Sequence, residues 1–150
     1  MKTALLILII SLTAVSINIK AKDTSNKKVI ATQNAPKAVG PYSQAIQVGN
    51  TLYLAGQIAI NPKTNKMNHG SIEEQTEQVL NNIKAVLNEA GFSLNDIVQS
   101  QVFLTNLDHY KRMNQVYTRY FTKHPPARAA VEVSRLPLNA KIEIMVTAVK

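Results

Sequence analysis

The chain has 150 residues, a formal net charge of +8 and 45% apolar residues, the profile of one globular domain. It contains no cysteine, which excludes a disulfide framework, a cysteine-ligated metal and a thiol nucleophile. The basic balance favours acidic partners in principle, yet only four arginines are present and no basic run is interleaved with aromatics, so a solvated lysine surface and no nucleic-acid partner are expected.

Lys2 opens the chain, and Ala4 to Ile19 is nearly continuous in apolar residues, broken by Ser11, Thr13, Ser16 and Asn18. Lys20 and Lys22 follow. This layout predicts a secretory signal peptide over 1–21, cleaved near Ser16 or Ala21. The mature protein would then be secreted or periplasmic, with no stable membrane association. The competing reading is an uncleaved anchor, because the run is near the lower length limit for a span. Residues 22–28 read as a polar lead-in to a domain over 29–150.

Lys28–Ala31 is a first strand candidate. Ser43–Val48 and Thr51–Ala55 read as two strands joined by the turn residues Gly49 and Asn50. Residues 61–66 form a polar turn. Ser71 with Glu74 is a capping box, and Ile72, Val79, Ile83, Val86, Leu87 and Ala90 recur at helical spacing until Gly91. Asp96–Thr105 reads as a buried strand. Leu107–Phe121 reads as a second helix, with Tyr110, Met113, Tyr117, Tyr120 and Phe121 as its core stripe. Ala127–Val133 and Ile142–Val149 close the chain as strands. The order β-β-β-α-β-α-β-β implies an α+β fold, with two helices covering one face of a mixed sheet.

Two charges stand out in the last two strands. Arg128 lies among small residues and Glu143 among Ile and Val. Alternation places each on the less apolar side of its strand. Composition alone favours an internal salt bridge or an edge charge facing water. A guanidinium so placed can also fork onto a carboxylate, and a carboxylate can orient water and move a proton. If the two strands formed a simple hairpin about Leu138, Arg128 and Glu143 would lie roughly 15 Å apart. Either the strands pair otherwise or a site draws on more than one chain. His69, His109 and His124 lack ligand spacing, so no metal is expected.

Four segments together resemble the RidA/YjgF family of reactive-intermediate (enamine/imine) deaminases. They are Asn34-Ala35-Pro36 with Gly40 to Ala45, Ala55-Gly56-Gln57-Ile58, Asn114 with Tyr117, and Pro125 to Ile144. The resemblance implies a chorismate-mutase-like fold assembled as a homotrimer, with ligand clefts between subunits. It implies that Arg128 holds the carboxylate of a 2-imino acid and that Glu143 positions the attacking water. It further implies that Tyr42, Ala55, Gly56, Asn114 and Ala130 line the cleft, and that no cofactor is needed. Ala55 and Ala130 stand where many members carry Ser and Cys, which implies tuning of activity. Two other classes compete with the deaminase: a ligand-binding or chaperone-like trimer without turnover, and RNA cleavage or translation inhibition.

Overall fold

The computed structural model describes residues 26–150. The expected signal peptide and most of the polar lead-in lie outside the described residues.

Six strands form one sheet: β1 (Lys27–Ile30), β2 (Ala45–Val48), β3 (Thr51–Leu54), β6 (Ile97–Leu104), β7 (Ala127–Glu132) and β8 (Ile142–Val149). Their order across the sheet is β1-β2-β3-β8-β6-β7. Two further short strands, β4 (Ile60–Asn61) and β5 (Lys66–Met67), pair with each other where a polar turn is expected. Gly49 sits at φ 58° in the β2–β3 turn, a conformation that costs glycine nothing.

Two helices, α1 (Ile72–Glu89) and α2 (Tyr110–Tyr120), complete the fold. The Ser71 hydroxyl accepts from the Glu74 amide at 3.3 Å, and the Glu74 carboxylate accepts from the Ser71 amide at 2.6 Å. Two of the donors left open at the helix start are thereby satisfied. At the other end the Phe92 amide donates to Leu87 and the Gly91 amide to Asn88, a Schellman closure with Gly91 at φ 77°. Ser71→Ala is expected to cost about 0.5–2 kcal/mol, readable as a lower midpoint in urea unfolding with an unchanged slope.

Strand alternation decides which residues the helices cover. Ser100, Val102 and Leu104 of β6 are buried, as are Ile142, Ile144, Val146 and Ala148 of β8. These two sets lie opposite each other in the antiparallel β6–β8 register. They join Leu52, Leu54, Val79, Leu80, Ile83, Val86, Leu87 and Met113 in one core between the sheet and the helices. The other sheet face carries Val29, Tyr53, Val131 and Met145, all substantially exposed.

One open alternative is decided and one expectation is corrected here. β7 and β8 do not form a hairpin: β7 pairs in parallel with β6 at the sheet edge, and β6 separates it from β8. A parallel neighbour requires the long crossover that α2 supplies. Nor is the whole aromatic stripe of α2 core. Tyr110 is exposed, whereas Val116, outside the expected stripe, is buried.

Candidate functional site

The expected site residues fall into two groups on opposite faces of the sheet. In the parallel β6–β7 register Arg128 lies opposite Ser100, Ala130 opposite Val102 and Glu132 opposite Leu104. Arg128 and Ala130 therefore share the helix-covered face. Glu143 lies opposite Phe103, which alternates away from the core. It projects from the open face. Each charge leaves the less apolar side of its strand, as expected, but for Arg128 that side is the helix-covered one. In β7 the apolar Ala129 and Val131 face outward, because this strand forms the sheet edge and only its inner side meets α2.

The Arg128 side chain is braced by that helix. Its guanidinium carbon lies 4.5 Å from the centroid of the Tyr117 ring and 5.6 Å from that of Tyr110. An Nη atom donates to the Tyr110 hydroxyl at 3.1 Å. Asn114 beside it, and then the Arg128 guanidinium, hold the Tyr110 phenol below its usual range. Burial pushes the Tyr117 phenol up, with Ser100 and Arg128 opposing weakly. The Ser100 and Tyr117 hydroxyls are close neighbours, yet neither makes a hydrogen bond of good geometry. Arg112–Glu73 is the salt bridge among the described residues. Arg128 has no such carboxylate partner there, which removes the internal-salt-bridge reading and leaves a stacked, planar fork open to an external carboxylate. Tyr110, Asn114 and Tyr117 recur at i, i+4 and i+7, so this face of α2 was readable from spacing, although Tyr110 reads there as core.

The second group surrounds a cavity of about 490 Å³. Tyr42, Ala55, Gly56 and Glu143 all line it, as do Pro36, Gln44, Gln57, Ile58, Pro137 and Leu138 from the motifs and Lys37, Val39 and Ile60, which sequence reasoning did not single out. Its wall is pinned by Gln44. This buried side chain accepts from the Thr32 amide at 2.6 Å and donates to the Pro36 carbonyl at 2.6 Å, while the Gln44 carbonyl accepts from the Ala55 amide at 3.0 Å.

Its floor is an irregularity in the β3–β8 pairing. Tyr53 lies opposite Thr147, and Gln57 bridges Ile144, so four steps along one strand match three along the other. The extra residue bends the strand in the manner of a bulge. Gly56 lies in this bend, against the Glu143 side chain: any Cβ on Gly56 would overlap the carboxylate. The Glu143 carboxyl is pushed up from the ordinary carboxylate value by burial, with no charge or hydrogen bond among the described residues offsetting it. A carboxylate so placed can accept a proton from water and return it nearer neutral pH than an exposed glutamate.

The chain thus brings Tyr42, Ala55, Gly56 and Glu143 together, and separately brings Arg128, Asn114 and Ala130 to one side of the β7 edge. It does not unite the two groups. Arg128 and Glu143 are two strands apart and three register positions apart, roughly 10 Å in each direction, with the sheet between them. Among the described residues no group of three His, Asp or Glu is placed to hold a metal ion, and no helix is long and apolar enough to cross a membrane.

Residues 32–150 match the family model described as Endoribonuclease L-PSP. A RutC family protein of Pyrococcus horikoshii is 55% identical over 124 residues, covering 83% of this chain and 98% of that protein. A 2-iminobutanoate/2-iminopropanoate deaminase of Dermatophagoides farinae is 43% identical over 120 residues, covering 80% of this chain and 94% of the relative. The crystal structure of the YjgF gene product of E. coli is 43% identical and superposes with a TM-score of 0.79, covering 82% of this chain and 98% of that one.

Proposed function

The chain belongs to the RidA/YjgF family, and on that premise we propose that it is a deaminase hydrolysing 2-imino acids, or their enamine tautomers, to 2-oxo acids and ammonia. The observation that carries this reading is Arg128: a guanidinium stacked on Tyr117, tied to Tyr110 and without a carboxylate partner among the described residues. It clamps the substrate carboxylate through paired hydrogen bonds. That contact holds the imine carbon over the attacking group, which turns a loose encounter into an oriented one.

Water attacks this carbon while Glu143 takes its proton. A carbon–oxygen bond forms and the carbon–nitrogen double bond becomes single. Glu143 passes the proton to nitrogen, giving a carbinolamine; it then takes the hydroxyl proton as the carbon–oxygen double bond forms and returns it to nitrogen, so the carbon–nitrogen bond breaks and ammonia leaves with the 2-oxo acid released. The imine carbon is electrophilic from the start, so a clamp at Arg128 and a proton carrier at Glu143 meet the needs of the reaction.

Because Arg128 and Glu143 stand on opposite sides of one sheet, we place the working site between two copies. One copy supplies Arg128, Asn114 and Ala130, and the next supplies Glu143, Gly56, Ala55 and Tyr42. A closed homotrimer built through the open sheet face meets this need, and the exposed apolar side chains of that face favour burial against a copy. Light scattering is expected to give three times the monomer mass. We further propose export of the mature chain. Mass spectrometry of the exported protein is then expected to show a new N-terminus near residue 17 or 22, whereas full-length chain in the membrane fraction would favour the anchor.

A coupled assay with freshly generated 2-iminopropanoate tests the activity: faster keto-acid release than in buffer supports it, and equal rates refute it. Gly56→Ala is a local check. The added Cβ meets the movable end of Glu143, so the fold survives while the carboxylate is displaced. Turnover is expected to fall about 10²-fold, the scale of a 1 Å misplacement, with an unchanged circular dichroism spectrum.

A further inference from the structure

The loop between β7 and β8 carries a feature that the reaction itself does not use. Leu138 has φ 53° and ψ 27°, and Asn139 follows at φ 53°. The left-handed region suits glycine and asparagine, whereas a leucine there is a strained outlier. Strain of this kind persists only when its surroundings impose it. They do so here: Leu136 and Ala140 on either side are buried, the Ala140 amide donates to the Pro137 carbonyl at 3.1 Å, and the Lys141 amide donates to Gln75 Oε1 at 2.9 Å. The clamped turn holds Leu138 58% exposed at the rim of the Glu143 cavity.

Val39, which is 81% exposed, lines the same cavity, together with the half-buried Pro36, Ile58 and Ile60. Apolar side chains lining a site and left partly open to solvent suit an apolar ligand group. The substrate's geometry says which group. An imine carbon has three substituents: the nitrogen, the carboxylate and the side chain. The nitrogen stays within reach of Glu143 and the carboxylate goes to Arg128. Only the side chain remains for the apolar wall.

Building on the deaminase reading, we propose that Leu138 is a specificity-determining residue and that the chain prefers 2-imino acids with bulky aliphatic side chains to 2-iminopropanoate. Lys37 also lines the cavity, but it is exposed and lies among these apolar neighbours, so an acidic side chain is the alternative that the test must reject.

The test compares imines generated from L-leucine, L-alanine and L-glutamate by an amino-acid oxidase, in wild type and Leu138→Asn. Asparagine accepts the left-handed backbone, so the variant folds and its thermal midpoint is expected to hold or rise. Wild-type kcat/KM is expected to favour the leucine-derived imine over the alanine-derived one by at least about tenfold, and Leu138→Asn to remove most of that ratio. A ratio near unity, a ratio unchanged in the variant, or a preference for the glutamate-derived imine would overturn the proposal. Calorimetry with 4-methyl-2-oxopentanoate and pyruvate separates the two claims. If no imine is hydrolysed the deaminase reading fails, while tighter 4-methyl-2-oxopentanoate binding that Leu138→Asn abolishes still supports the side-chain pocket and equal binding refutes it.

Discussion

Arg128→Ala is expected to lower kcat/KM for 2-imino acids by about 10²-fold or more, with assembly and thermal stability close to wild type. The charge-assisted contact to the substrate carboxylate is worth about 1.5–3 kcal/mol, a factor of ten to more than a hundred. Loss of orientation adds to it. Stability is spared because the guanidinium has no ion pair among the described residues and one hydrogen bond, to the Tyr110 hydroxyl. What the variant loses in the free protein is stacking on Tyr117, a modest cation–π term at this partly exposed site. Arg128→Lys keeps the charge but not the planar fork, and is expected to recover only part of the rate. Steady-state kinetics beside a melting curve decides the matter. Wild-type turnover in Arg128→Ala would end the clamp mechanism.

Glu143→Gln is expected to lower kcat by about 10²–10⁴-fold, the usual contribution of a positioned acid–base group, while keto-acid product still binds. The amide preserves shape but cannot take a proton from water. The pH dependence is the more discriminating readout. Burial raises the Glu143 pKa, so the active carboxylate form is lost as pH falls through that elevated value. Wild-type kcat should therefore decline on the acid side sooner than an exposed glutamate would cause, and the residual activity of Glu143→Gln should lack this limb.

Stability gives the opposite sign. A carboxyl with a raised folded pKa contributes its full stability below the ordinary carboxylate range, and that contribution is lost as pH rises through the folded value. Ionised Glu143 therefore burdens the fold at neutral pH. Glu143→Gln is expected to unfold at a slightly higher temperature than wild type at pH 7, and at the same temperature in acid where both side chains are neutral. A variant that melts lower at pH 7 and keeps its turnover would make Glu143 structural.

Local signals made most of the fold readable. The capping box at Ser71, the left-handed Gly49 and Gly91 and the helical spacing of α1 each act within a few residues, and each element forms where its own residues place it. Pairing across the sheet was not readable, because strand order is decided by which apolar faces meet. The proximity of Ala127–Glu132 and Ile142–Val149 in sequence left a hairpin open, but the crossover through α2 delivers β7 to the far edge. The faces of Arg128 and Glu143 depend on that pairing, so their opposition was invisible beforehand. The cavity was half legible. Tyr42, Ala55, Gly56 and Glu143 belong to it as named, while Lys37, Val39, Pro137 and Leu138 come from loops whose paths Gln44 and the clamped turn set at long range. Tyr110 shows the converse error: its spacing matches a core stripe, yet it sits at the exposed end of α2 and meets Arg128.

The central claim is that one chain supplies Arg128 and another supplies Glu143 to each site. Co-expression of Arg128→Ala and Glu143→Gln chains tests it directly. Each variant alone is inactive on this account. In mixed rings assembled at random from equal amounts, an interface is intact when its arginine comes from the Glu143→Gln chain and its glutamate from the Arg128→Ala chain. About a quarter of interfaces meet that condition in a cyclic assembly, so the mixture should recover about a quarter of wild-type activity. Activity no higher than that of the two separate variants would show that each chain works alone, and would contradict the shared site.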